Sequence, residues 1–239
     1  MNVAIVGYGK MGHEIARLLL ARGHKIQLIV DVDNVADLNA EKLRGCDVAI
    51  EFSAPDAAFA NVCKCIEAGV PVVCGTTAWL DKLDQVKKLC AKHDGAFFYA
   101  SNYSLGVNIA FRVNRMLAEM MDRFPQYDVT VEETHHTQKK DAPSGTAITL
   151  AEDIVAALGR KRKWVGEPTI TPDHLGVTSV RRSVVPGTHI VTYESDHDYI
   201  TLTHCAKSRA GFVQGAVTAA EFIAGRKGVY TMDDLFENL

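Results

Sequence analysis

Val3-Ala4-Ile5-Val6-Gly7-Tyr8-Gly9-Lys10-Met11-Gly12 is the stretch from which the rest of this chain is read. Four consecutive apolar residues, mostly β-branched, make a strand buried on both faces. Three glycines at Gly-x-Gly-x-x-Gly spacing follow at once. Met11, Ile15, Leu18 and Leu19 then fall on one face of a helix that Gly23 ends. A second strand, 26–30, closes on Asp31, nineteen residues after Gly12. Strand, glycine turn, helix, strand and terminal acid in that order meet the requirements of a dinucleotide-binding unit. Gly7 permits the tight turn, Gly9 lets backbone approach a pyrophosphate, and Gly12 allows close packing, with Tyr8, Lys10 and Met11 completing the loop. The helix start adds free N–H groups and partial positive charge. A purely structural glycine turn is the competing reading, and the flanking order of elements disfavours it.

Asp31 carries the finer expectation. A carboxylate at that strand end accepts hydrogen bonds from both ribose hydroxyls of NAD and repels a 2′-phosphate. Val32 and Asp33 follow, with no arginine, and Lys10 is the one nearby cation. NADH is therefore expected in preference to NADPH.

Working outward, short apolar runs at 48–52, 72–74 and 96–99 alternate with helical patterns at 55–68 and 80–93. Continuous apolar strands between helices mean a parallel sheet covered on both faces, an α/β fold. Gly75-Thr76-Thr77 and Ser101-Asn102-Tyr103-Ser104 follow two of those strands, at the carboxyl ends where such sheets bind ligands. Their hydroxyls and amides suit a nicotinamide carboxamide or a substrate edge, although turn chemistry alone accounts for each. After residue 103 the rhythm changes. A helix is expected at 107–121, a strand at 128–134, a helix at about 146–158 and strands at 179–185, 189–193 and 199–204. This reads as a mixed or antiparallel sheet, and a last apolar helix, 211–224, returns to the first domain.

Composition excludes several classes. With 47% hydrophobic and 23% charged residues in 239, disorder and low complexity are out. A net charge of -3 leaves no basic footprint, and the run Arg160-Lys161-Arg162-Lys163 reads as a solvated turn, so nucleic acid is not an expected partner. No apolar stretch approaches the ~20 residues of a membrane span, and no signal peptide is read at the start. The six cysteines contain no Cys-x-x-Cys pair and read as reduced thiols of a cytoplasmic protein. Histidine spacing suggests no metal site.

The densest polar cluster is Glu132-Glu133-Thr134-His135-His136-Thr137-Gln138-Lys139-Lys140-Asp141-Ala142-Pro143-Ser144-Gly145-Thr146-Ala147. It leaves a strand and opens a helix, with Ser144 at the N-cap position. N–H groups at Gly145 and Thr146 then face an anion, and His135, His136, Lys139 and Lys140 add proton-carrying or cationic groups. An anionic substrate, most simply a carboxylate, with a general acid beside it fits this set. A polar connection with a capped helix is the plainer alternative.

This long motif resembles the signature of the dihydrodipicolinate reductase family. The resemblance runs nearly end to end, through the glycine loop, Gly75-Thr76-Thr77, Asn102-Tyr103-Ser104-x-Gly106-Val107-Asn108 and Lys207-Ser208-Arg209-x-x-Phe212-x-x-Gly215-Ala216. It implies a Rossmann-type parallel-sheet domain, 1–106 plus 209–239, and an α+β domain of mixed sheet, 107–208, which binds substrate and builds a homotetramer. It implies His135 as proton donor and Lys139 as second catalytic residue. His136, Ser144, Gly145 and Thr146 would bind substrate carboxylates, with Thr77 near both ligands. Phe52, Ser53, Gly75, Thr76, Thr77, Ala100, Ser101, Asn102 and Tyr103 would line the cofactor beside Gly7–Gly12 and Asp31. The implied activity is NAD(P)H-dependent reduction of a cyclic dicarboxylate. The chain departs from common members in a compact segment at 33–46, a tighter glycine loop and no basic residue at Ala54. Another two-domain NAD(P)-linked imine or amino-acid dehydrogenase, or an NADH-sensing module, shares the fingerprint but gives the histidine loop less to do.

Overall fold

In the computed structural model, which describes residues 1–238, the chain folds as two compact units. One comprises Met1–Leu105 and the stretch from Ala210 onward; the other is Gly106–Arg209.

The first unit is built on a sheet of six strands: β1 (Asn2–Val6), β2 (Lys25–Val30), β3 (Val48–Glu51), β4 (Val72–Cys74), β5 (Ala96–Tyr99) and β11 (Gly228–Tyr230). All pairs are parallel, in the order β11-β5-β4-β3-β1-β2. Side chains alternate across a strand, so each continuous apolar run feeds two cores. Val3 and Ile5 of β1 pack with α1 (Lys10–Ala21) and α7 (Ala210–Ile223). Ala4 and Val6 pack on the opposite face with α3 (Pro55–Glu67) and α4 (Leu83–Lys92). The returning apolar helix therefore does cover the first sheet, through Val213, Ala216, Val217 and Ala220. The sheet reverses its order between β1 and β3, which opens a crevice at their carboxyl ends.

Three short elements here carry too little periodicity to be read from sequence: α2 (Ala40–Leu43), β11 and α8 (Met232–Glu237). The helix expected from residue 80 begins as a 3₁₀ turn, Leu80–Lys82, before α4. All six cysteines are free thiols.

The second unit has a five-stranded mixed sheet. Its strands are β6 (Asp128–His135), β7 (Lys163–Val165), β8 (His174–Arg181), β9 (Thr188–Glu194) and β10 (Tyr199–Cys205), in the order β10-β9-β6-β8-β7. Strand β6 runs parallel to β8 and antiparallel to β9. One face packs on α5 (Leu105–Met121) and α6 (Gly145–Ala157) through Val129, Val131, Leu175, Val177, Val191 and Tyr193. The strand expected at 179–185 starts five residues earlier and ends at Arg181. The core-facing residues are Leu175 and Val177, while Ser183 has φ of 47° and Val184 is 85% exposed, so the chain has already turned away from the sheet. β7 is an unexpected edge strand.

Candidate active site

In the first unit, the loops leaving β1, β3 and β4 lie side by side. Gly7 N–H donates to Val30 O, Phe52 N–H to Val6 O and Gly75 N–H to Glu51 O. Phe52 is the spacer between two glycines. A Cβ on Gly7 would sit 2.2 Å from the Phe52 carbonyl oxygen, and one on Gly75 would sit 2.2 Å from its ring. Gly7 also has φ of 91°, and a Cβ on Gly12 would fall 2.3 Å from Gly7 O, so both glycines shape the turn. Gly9 differs: a Cβ there meets nothing within 4 Å. It is the N-cap of α1, and no side chain caps that helix. Open space beside a helix start whose N–H groups lack a side-chain partner fits a pyrophosphate, and Lys10 is exposed next to it.

Beneath these loops lies a side chain that sequence reading passed over. Glu51 is fully buried and accepts from Ser53 N–H and Oγ–H, Asn61 Nδ2 and Cys74 Sγ. Ser53 N–H also donates to Thr76 Oγ1 at 2.9 Å, so Ser53 and Thr76 are locked together while Thr77 stays exposed. Asp31 has a second task. It forms a capping box with Asn34 over the 3₁₀ turn Val32–Asp37. The Tyr103 hydroxyl donates to Cys74 O at 2.8 Å in the core, and Ala100 is also buried. Ser101 is exposed and Asn102 half-buried, its Oδ1 accepting from Ser104 N–H.

In the second unit, β6 alternates, placing Glu133 and His135 on the buried side and Glu132 outside. Glu133 Oε2 contacts His135 Nδ1, and Glu133 Oε1 accepts from Arg181 Nη2 at 2.9 Å. Burial pushes the Glu133 carboxyl up, but Arg181, Ser179 and His135 together outweigh it and hold it below its usual value. Burial likewise pushes the His135 imidazole down, against the opposing pull of the Glu133 charge. His136, the next residue, has left the strand and is half-buried. The ring that faces His135 is instead His189 of β9, centroid to centroid 5.1 Å at 72°. His189 Nε2 lies 3.1 Å from Ser144 Oγ.

Ser144 is the N-cap of α6, and its Oγ accepts from Ala147 N–H at 3.2 Å. Gly145 has open space around its Cα, and Thr146 is half-buried on the same first turn. This is an anion-attracting helix start with its cap fixed from behind by an imidazole. Lys139 is held by Asp141, Nζ donating to both carboxylate oxygens at 2.9 and 2.8 Å, and it pulls the Asp141 carboxyl below its usual value. Its charge is therefore presented on a two-residue leash rather than free.

Glu133, His135 and His189 offer ligand atoms all within 4.8 Å of one another, a metal-like grouping that histidine spacing did not reveal. Both carboxylate oxygens are already committed, one of them to a guanidinium, which makes the trio a poor cation site. Glu133 could have been found from sequence, lying two residues before His135 on an alternating strand. Arg181 and His189 could not, because only β-pairing brings them in.

A dinucleotide-type α/β unit joined to a mixed-sheet unit with a buried proton-carrying imidazole and an anion-binding helix start defines a two-domain nicotinamide-dependent oxidoreductase. Family models described as the N-terminus and C-terminus of dihydrodipicolinate reductase match residues 1–103 and 106–236. The chain belongs to the dihydrodipicolinate reductase family. It is 47% identical over 241 residues to the 4-hydroxy-tetrahydrodipicolinate reductase of Christiangramia forsetii, covering 100% of this chain and 99% of that one. It is 34% identical to the enzyme of that name from Methanosarcina mazei, covering 98% and 88%. Among solved structures, a dipicolinate-bound dihydrodipicolinate reductase from Paenisporosarcina sp. TG-14 shares the fold, with TM-score 0.79, 24% identity and 98% coverage of both chains.

Proposed function

We propose that this chain catalyses the reaction for which its relatives are named. It reduces 4-hydroxy-tetrahydrodipicolinate with loss of water, or the dihydrodipicolinate that this loss of water leaves, to tetrahydrodipicolinate with NAD(P)H, on the diaminopimelate route of lysine biosynthesis. The observation that carries this reading is the second unit's pairing of a buried, carboxylate-bound imidazole, His135, with the capped helix start at Ser144, beside Lys139.

The residues of the first unit fit the dinucleotide. Gly7, Tyr8, Gly9, Lys10, Met11 and Gly12 would cradle the pyrophosphate. Asp31 would take the ribose hydroxyls with the carboxylate oxygen its capping box leaves over. Phe52, Ser53, Gly75, Thr76 and Thr77 would flank the nicotinamide end with Ser101 and Asn102, while Ala100 and Tyr103 contribute backbone and support. The bound cofactor supplies the hydride. In the second unit, His136, Lys139, Ser144, Gly145 and Thr146 clamp the two substrate carboxylates, and His135 delivers the proton to the ring as it becomes electron-rich. Orientation of this kind is worth on the order of 7–11 kcal/mol in well-aligned systems. Asp31, with no arginine beside it, supports NADH as the preferred donor. A homotetramer in the cytoplasm completes the proposal.

The test is a coupled assay with freshly generated substrate and each nicotinamide. Loss of reduced-nicotinamide absorbance, with higher kcat/KM for NADH and competitive inhibition by a planar pyridine dicarboxylate, is the expected result. No turnover with either donor would sink the reading, and a clear NADPH preference would sink the role of Asp31.

A further inference from the structure

We propose that Glu133, clamped by Arg181, is the positioning residue of the proton donor: it holds His135 with Nδ1–H on the carboxylate and so reserves Nε2 for the substrate. This rests on the reading of His135 as the acid.

Three observations carry it. The first is the division of the Glu133 carboxylate, fully buried, between two partners: Oε2 to His135 Nδ1, and Oε1 to Arg181 at 2.9 Å. A buried carboxylate is held charged only when paired, so this arrangement fixes the proton on the Nδ1 side of the ring. The second is the reach of Arg181, which faces His135 across the parallel pair of β6 and β8. Its Nη2 also donates to Asp141 O at 2.6 Å, and its Nη1 to Val180 O. One guanidinium thus ties the carboxylate behind the acid to the loop that carries Lys139. The third lies at the other end of the ring. A Cβ on residue 187 would stand 2.9 Å from His135 Nε2, so any side chain there would press on that nitrogen, and glycine avoids the clash.

The electrostatics have a sign. His135 is faced by Glu133 of its own strand, Arg181 of β8, His189 of β9 and Lys139 of the following loop. Burial, Lys139 and Arg181 disfavour its charged form; Glu133 favours it. Removing the Glu133 charge leaves only opposing influences, and the imidazole must then titrate lower.

The experiment combines imidazole nitrogen NMR of the full chain with kinetics of Glu133→Gln and His135→Gln. In the unaltered protein, above its titration, His135 is expected as the Nδ1–H tautomer, its signal identified by loss in His135→Gln; an Nε2–H tautomer overturns the proposal without any variant at position 133. In Glu133→Gln the His135 midpoint, and with it the alkaline limb of the kcat/KM profile, is expected to fall by about one pH unit or more. Its kcat should drop at least about tenfold, with KM for the nicotinamide unchanged. An unmoved midpoint and pH limb, whatever the turnover, would mark Glu133 as merely structural. If His135→Gln itself keeps near-normal turnover, the acid assignment fails first; if it collapses while Glu133→Gln is normal, only the present proposal fails.

Discussion

Two buried imidazoles, His135 and His189, lie 5.1 Å apart in the second unit, and the first is the proposed proton donor. For His135 as acid, His135→Gln is expected to lower kcat by about 10²–10⁴ with little change in KM, since a lost proton donor acts on the transition state. Lys139→Ala should damage both, because the ammonium proposed to bind a substrate carboxylate also shapes the field around His135. Steady-state kinetics at saturating cofactor separate the two patterns. His189 makes a different statement. Burial, then the neighbouring His135, push it from its usual value down to about 4. Its folded value lies below its unfolded one, so the unfolded chain binds the extra proton first, and stability is lost as pH falls from about 6.5 toward 4. A drop of that size is worth about 3 kcal/mol at most. Urea unfolding across this range should show the loss, and His189→Gln should flatten it; an unchanged slope would mean the ring is not held neutral. His135 and His204, both pushed down by burial, contribute in the same direction and remain in the variant.

At the level of elements, glycines separate packing from ligand binding. Gly215 lies inside α7, where alanine would ordinarily gain about 1 kcal/mol of helix propensity. Here its Cβ would stand 1.7 Å from Tyr103 O, a backbone atom that cannot rotate away. Gly215→Ala should therefore destabilise the first unit by about 3 kcal/mol or more, overpacking winning over propensity. Gly9→Ala meets nothing within 4 Å and has φ of -78°, which alanine accepts. It should leave the unfolding midpoint within experimental error and raise KM for NAD(P)H about tenfold, a methyl group having entered the pyrophosphate space. Thermal unfolding and cofactor titration on the two variants check the contrast. The same elements mark where the sequence could be read. β1, α1 and the order of the parallel sheet follow from unbroken apolar runs and a spaced glycine turn. The apolar Val180, Val184 and Val185 draw the expected strand toward 185, whereas Leu175 and Val177 are the residues that pack in the core and the chain leaves β8 after Arg181, turning at Ser183 with positive φ. β11 is three residues long and is specified by its partner β5, not by itself.

Over the whole chain, what was illegible is what depends on pairing between distant strands. The histidine loop advertised His135, Lys139 and Ser144, but Arg181 and His189 reach them only through β8 and β9, and no local pattern encodes that register. The same sheet bears on assembly. Its inner face is filled by α5 and α6, yet Thr130, Thr192 and Thr201 line up across β6, β9 and β10 on the opposite face, exposed or half-exposed. β10 adds Tyr199, 68% exposed, to the same face. A threonine-rich face ending in an exposed edge strand leaves β-forming surface uncovered beside the acids Asp128, Glu132 and Glu194. A homotetramer built on this face accounts for it, and light scattering should then give four times the 26.1 kDa chain mass. Thr192→Arg sets a cation at the centre of that row. On an open surface such a change costs within about 0.5 kcal/mol, whereas against a second sheet it forces a long side chain into a packed contact. The expected result is a smaller particle with unchanged circular dichroism; a tetramer that survives the arginine would place the subunit contacts elsewhere on the second unit.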